Sequence, residues 1–274
     1  MINEKLLNRK GARKILDVPF EVLELLNKGK IETVNLTEWL AVDHIALIRS
    51  TFPEIGVSEK NINIIAEKIT DQKKPSAMST IKLIGASLHE VYSGKSDYYS
   101  LFKDLSNHVS DSIRCYAPYL ISLNKNFNIE EKLNQSMLLV ADKHFGVREV
   151  VWMALRPEIE RNLNVAISFL SKWAANKDEN IRRFTTESTR PRGVWCKHIE
   201  TLKENPELAL PVLEKLKSDP SKYVQDSVGN WLNDASKTRP DFVIELCEKW
   251  LIESSANETK KIIKKAMRSI EQIG

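Results

Sequence analysis

The sequence predicts an all-α protein, a HEAT-like or armadillo-type α-solenoid with a concave basic groove. Three observations point there. Apolar residues recur with helical period almost everywhere, and no convincing alternating β run is present. Glycine and proline are scarce, at 9 and 10 of 274 residues. From about residue 97, a polar entry followed by an apolar-basic helix recurs every 34 to 42 residues, the range of two-helix solenoid repeats.

Taken in order, Val22, Leu23, Leu25 and Leu26 form a helix running to Gly29. Leu36-Thr37-Glu38-Trp39-Leu40 opens the next apolar face, continued by Ile45, Ala46 and Ile48. Ser58 is placed to N-cap the helix of Ile62, Ile64, Ile65 and Ile69, and Ser79 the helix of Ile81, Leu83, Ile84 and Leu88. Asp71-Gln72-Lys73-Lys74-Pro75-Ser76 is a polar connection between them. Residues 1–96 show no clear repeat and are expected to cap a repeat region spanning 97–274. Aligning Arg114, Arg148, Arg183 and Gln225 gives spacings of 34, 35 and 42 residues, with a fifth copy near Lys261. Partner helices lie at Asn164–Trp173, Pro211–Leu216 and Asp241–Trp250. Lys260, Lys261, Lys264 and Lys265 read as a solvated basic face or as phosphate contacts.

Composition narrows the function. Hydrophobic residues are 42% and charged residues 28%, as in a soluble domain with a substantial core. The net charge of +4 permits a nucleic-acid partner without requiring one. Cys115, Cys196 and Cys247 are far apart and form no CxxC pair, which argues against a disulfide framework or zinc site. No apolar run reaches the ~18–20 residues of a membrane span, and none of signal-peptide length opens the chain. A cytoplasmic protein with no membrane partner is expected. GxGxxG, P-loop, HExxH and GxSxG motifs are missing, and the five histidines show no ligand spacing. No metal and no cofactor are expected.

The densest chemistry is Arg182-Arg183-Phe184-Thr185-Thr186-Glu187-Ser188-Thr189-Arg190-Pro191-Arg192-Gly193-Val194-Trp195. Arg183, Glu187 and Arg190 share a helical face, either as an exposed ion-pair ladder or as arginines gripping phosphates around a carboxylate. Pro191 disfavours helix at the residue before it and holds Arg190 and Arg192 on a stiff turn, where planar guanidinium groups suit phosphate. Trp195 either packs a repeat junction or forms an aromatic wall for a ribose or a cationic base. Asn230, Asn233, Asp234 and Lys237 line one polar face; either the asparagines and lysine satisfy Asp234, or Asp234 faces the groove. Arg148, Trp152 and Arg156-Pro157 nearly mirror this corner one repeat earlier. Trp152 then takes the place of Glu187 and projects into the groove.

These residues carry a resemblance. The 182–195 segment resembles the RR-x-x-x-E-x-T-R-P-R-x-x-W signature of the AlkC branch of the HEAT-like DNA alkylation repair glycosylases, relatives of AlkD. Asp219-Pro220-Ser221-Lys222-Tyr223-Val224 and Ser227-Val228-Gly229-Asn230-Trp231-Leu232-Asn233-Asp234-Ala235-Ser236-Lys237 resemble a second block of that family. The resemblance is strong over about 140–252. It implies a monofunctional alkylpurine glycosylase, a monomer that excises cationic bases of the 3-methyladenine type from double-stranded DNA. Glu187 and Asp234 take the places of the family's acidic residues. Trp152 and Trp195 would shape the lesion site, and Arg148, Arg183, Arg190, Arg192 and Lys237 would contact the backbone. The family carries a carboxylate near the position of Trp152, a departure compatible with altered substrate choice or lost activity. A DNA binder without catalysis and a protein-interaction solenoid are the competing readings.

Overall fold

The computed structural model describes residues 4–194 and 196–270. Every regular element among those residues is a helix, with no strand. They divide into two compact units. One comprises 1–127 with 142–154, and the other 128–141 with 155–274. The chain passes between them at 127/128, at 141/142 and, inside the Phe145–Arg161 helix, at 154/155. The division therefore does not fall at 96/97. The cause is packing inside the first unit, where the Ala77–Tyr92 helix presses on Ala117–Leu123. A Cβ on Gly85 would stand 2.7 Å from the Tyr116 carbonyl oxygen and 2.7 Å from Tyr119 Cβ. Residues just beyond 97 thus complete the core of the N-terminal helices.

Ser58 caps the Glu59–Thr70 helix, its hydroxyl accepting from the Asn61 N–H. The next helix starts earlier than its sequence suggests. Ser76 is the cap of Ala77–Tyr92, and Ser79 is its third residue, reciprocating in a capping box. Two histidines are packing residues of the first unit. His44 Nδ1 pairs with the Tyr116 hydroxyl at 2.6 Å, and His144 Nε2 lies 2.9 Å from the Thr33 carbonyl oxygen.

The repeat has a local hydrogen-bond signature. A side chain accepts from the N–H two residues ahead: His108 from Ser110, Asp142 from His144, Asn176 from Asp178, Asp219 from Ser221 and Ser254 from Ala256. Six residues after each of the first four, a long side chain donates back to the turn. Arg114 bonds the carbonyls of His108 and Val109, Arg148 those of Asp142 and Lys143, and Arg182 those of Asn176 and Lys177. Gln225 bonds that of Asp219. These bonds correct the register. Arg182, not Arg183, is equivalent to Arg148, and the spacings become 34, 34 and 43 residues, with Lys260 opening the fifth copy. Within each unit, such an arginine also clasps the next turn: Arg114 with Asp142, and Arg182 with Asp219 at 2.6 and 3.0 Å.

A second correction concerns Pro157. The helix does not stop there but continues to Arg161. Proline deprives the helix of one hydrogen bond, yet Pro157 is exposed while Leu155 and Ile159 on either side are fully buried, and their burial outweighs the loss.

In the second unit, Lys222–Ser236 packs closely on Asn257–Met267 through Gly229, whose added Cβ would come 2.8 Å from Lys265 Cβ. Lys265 itself bonds Asp226 at 2.6 Å, so that part of the C-terminal basic face is internal to the fold. Gly229→Ala is expected to destabilise the protein by about 1–3 kcal/mol through overpacking, read as a lowered urea midpoint. An unchanged midpoint would show that the helices can part at no cost.

Candidate active site of the second unit

Two carboxylates brought together by one arginine form the centre of the site. Glu187 ends the Glu179–Glu187 helix, whose start is capped by Asp178. Asp234 lies on Lys222–Ser236, 47 residues further along the chain. Arg190, on the turn between them, donates from Nε to Asp234 Oδ2 at 2.8 Å, with Nη2 2.7 Å from the same oxygen. Its Nη1 lies 3.5 Å from Glu187 Oε2. All three side chains are largely buried, at 5%, 6% and 13% exposure for Glu187, Asp234 and Arg190. Burial alone would lower the Arg190 pKa, but the Glu187 and Asp234 charges outweigh it and hold it above the ordinary arginine range.

Neighbouring groups fix each carboxylate. The Ser227 hydroxyl donates to Glu187 Oε1 at 2.8 Å, and that hydroxyl lies 2.6 Å from Thr186 Oγ1. Arg183 Nη2 approaches the same Glu187 oxygen at 3.0 Å. The Trp231 indole N–H, fully buried, donates to the Thr189 carbonyl at 3.0 Å and ties the second helix to the turn. The bonds are unevenly distributed. Glu187 Oε1 and Asp234 Oδ2 take the short ones. Among the described residues, Glu187 Oε2 has only the 3.5 Å approach of Arg190, and Asp234 Oδ1 only Lys237 Nζ at 3.7 Å. Each carboxylate thus keeps one oxygen with lone pairs to spare, positioned by the partners of the other. A rigid pair of this kind stabilises a developing positive charge or orients a water molecule.

The residues expected to grip a DNA backbone have mixed placements. Arg190 is the internal bridge just described, not an outward arginine. Arg183 is stacked 3.9 Å over the Tyr223 ring, bonds the Tyr223 carbonyl at 2.9 Å and pairs with Glu187; its side chain is 17% exposed. The ladder Arg183–Glu187–Arg190 therefore exists, but in the interior and not on an exposed face. Arg148, in the first unit, donates to turn carbonyls. Arg192 is partly buried, with its Nε lacking a hydrogen-bond partner among the described residues, and Lys237 is 46% exposed.

Trp152 departs from expectation. It is 4% exposed, and its indole N–H donates to Glu149 Oε2 at 2.9 Å. In the corrected register it matches Thr186, one residue short of Glu187, so the helical turn of about 100° per residue directs it elsewhere. Trp195 lies outside the described residues. Asn233 does not share the Asp234 face either. It bonds the Ala266 carbonyl, Ser269 and Arg268 at 3.2, 2.9 and 3.0 Å, and Arg190 takes the role the asparagines were expected to fill. Sequence reasoning gave no role to Ser227, and none to Arg156 although it singled out the Arg156-Pro157 pair. Nothing in the spacing marks Ser227, whereas the Arg-Pro pair at 156–157, 34 residues before Arg190-Pro191, was a usable signal.

Fold and site together define an all-helical repeat protein with a buried, arginine-bridged carboxylate pair. The family model of DNA alkylation repair enzymes matches residues 121–270, more than half of the chain, and the protein belongs to that family. It is 28% identical over 228 residues to the uncharacterized protein YhaZ of Bacillus subtilis, covering 83% of this chain and 61% of that one. In fold it is similar to the Pseudomonas fluorescens alkylpurine DNA glycosylase AlkC, solved bound to DNA containing an abasic site analog. The TM-score there is 0.68 at 22% identity, covering 83% of this chain and 62% of that one. AlkD2 from Streptococcus mutans aligns with a TM-score of 0.58 at 25% identity, covering 76% of this chain and 97% of its own. The chain thus spans just over three fifths of YhaZ and of AlkC.

Proposed function

We propose that this protein is a DNA glycosylase that hydrolyses the N-glycosidic bond of cationic alkylated bases, of the 3-methyladenine type, in double-stranded DNA. The observation that carries the reading is the pair Glu187 and Asp234, locked on Arg190 and each keeping, among the described residues, an under-bonded oxygen. Alkylation makes the base a good leaving group, and bond breaking places positive charge on the sugar. A fixed carboxylate in a water-poor site stabilises that charge and orients the attacking water. This chemistry asks nothing of a metal or cofactor. Family membership and the likeness to a glycosylase solved on DNA support the same substrate class. The exposed Lys237 and the partly buried Arg192 are assigned to phosphates.

The test is release of free base from DNA treated with a simple methylating agent, by wild type and by Asp234→Asn. Wild type is expected to release 3-methyladenine and the variant far less. No release by wild type, together with salt-sensitive duplex binding, would leave a non-catalytic DNA binder. Binding insensitive to salt would point instead to a protein partner. For a DNA-binding protein, the logarithm of affinity for an unmodified duplex should fall linearly with the logarithm of salt concentration, and Lys237→Ala should reduce that slope by about 1.

A further inference from the structure

Arg156 stands one repeat before Arg190. The two are separated by 34 residues, as are Arg148 and Arg182, and each precedes a proline. Their partners differ. Arg190 reaches Asp234, whereas among the described residues no carboxylate bonds Arg156, which is 3% exposed. Its Nη1 donates to the Ser188 carbonyl at 3.1 Å, its Nε to the Lys197 carbonyl at 3.1 Å, and its Nη2 to the carbonyl of Arg190 itself. Those acceptors lie just past the helix that ends in Glu187, on the following turn, and on the returning arm of the loop. The Ile199 N–H closes that loop on the Pro191 carbonyl at 3.1 Å. The loop is wrapped tightly on the guanidinium, since a Cβ on Gly193 would stand 3.2 Å from Arg156 Cζ and would collide with Cys196 Sγ.

A cation buried against neutral acceptors is a poor source of stability, because its desolvation is not offset by an opposite charge in contact. Burial lowers the pKa of Arg156, and the like charge of Arg190 acts in the same direction. What arginine supplies here is geometry. Its planar fork reaches three carbonyls on two arms of a loop, which a single ammonium on a flexible stem does not reproduce. One of those carbonyls belongs to the residue that joins the two carboxylates.

We propose that Arg156 is a positioning residue that fixes the backbone at Arg190 and thereby holds the Arg190 guanidinium between Glu187 and Asp234. Its effect on rate rests on the glycosylase reading, whereas its effect on Arg190 does not. The test uses the full chain, labelled with nitrogen-15. The Nε–H resonance of Arg190, assigned by its loss in Arg190→Lys, is compared between wild type and Arg156→Lys. The variant keeps the charge and loses the fork. Its Arg190 resonance is expected to broaden or vanish, and single-turnover excision from methylated duplex to fall by about a hundredfold at unchanged duplex affinity. Should Arg156→Lys fail to fold, Gly193→Ala crowds the guanidinium without removing it, and the same two losses are expected. An unchanged Arg190 resonance in whichever of these variants folds overturns the proposal, whatever happens to the rate. If wild type releases no base while the variant still loses the Arg190 resonance, the glycosylase reading falls and the positioning role stands.

Discussion

Replacing Arg190 with methionine is expected to destabilise the protein by about 3–5 kcal/mol and to abolish base excision, because removing one member of a buried ion cluster leaves the others uncompensated. Methionine matches the length of the arginine stem, so the loss is electrostatic more than steric. The variant leaves Glu187 and Asp234, each at most 6% exposed, with no guanidinium between them. Among the described residues, Asp234 would retain only Lys237 at 3.7 Å, and Glu187 would retain Arg183 and Ser227. Urea denaturation measures the stability change. Adding Asp234→Leu to Arg190→Met removes the worse-compensated charge and should recover part of the lost stability without recovering activity. A single variant that unfolds with wild type would show that the three groups are not coupled as described.

Glu187→Gln is expected to lower single-turnover excision by about 10²–10³-fold, the range seen when one preorganised electrostatic group is removed from an active site. Glutamine keeps the shape and can still accept from Ser227, but it takes opposing charge from the buried Arg183 and Arg190, so a loss of stability is expected and excision is compared where the variant is fully folded. The amide removes the negative charge that would face the sugar. Ser227→Ala tests the same carboxylate from outside. It deletes a 2.8 Å bond to Oε1 while leaving the charge, and a smaller drop in rate is expected. Normal excision by Glu187→Gln would move the chemistry to Asp234 alone.

Much of this was legible before any coordinates. Helical periodicity and caps are local properties, written in residues three to seven apart, and Ser58 and the 163–173, 210–216 and 240–253 partner helices follow from them. The Arg182–Trp195 motif was conspicuous because its charges are dense. The register error of one residue arose because Arg182 and Arg183 are adjacent and chemically identical. Their partners distinguish them, and the carbonyls of Asn176 and Lys177 that fix Arg182 as the repeat position are backbone acceptors, which leave no mark in side-chain identity. That single residue moved Trp152 off the position of Glu187.

The all-helical repeat and its approximate period were thus already written in the order of amino acids, through hydrophobic spacing and recurring motifs. Tertiary structure decided which cation meets which carboxylate. Arg190 finds Asp234 at 44 residues' separation, Arg156 finds the carbonyls of a loop 32 to 41 residues away, and Asn233 turns to the last helix. Arginines on a helix or a turn have nearly the same local prospects. Their roles diverge only when stacking of successive repeats buries them, because a buried guanidinium must take whatever acceptors the neighbouring repeat presents.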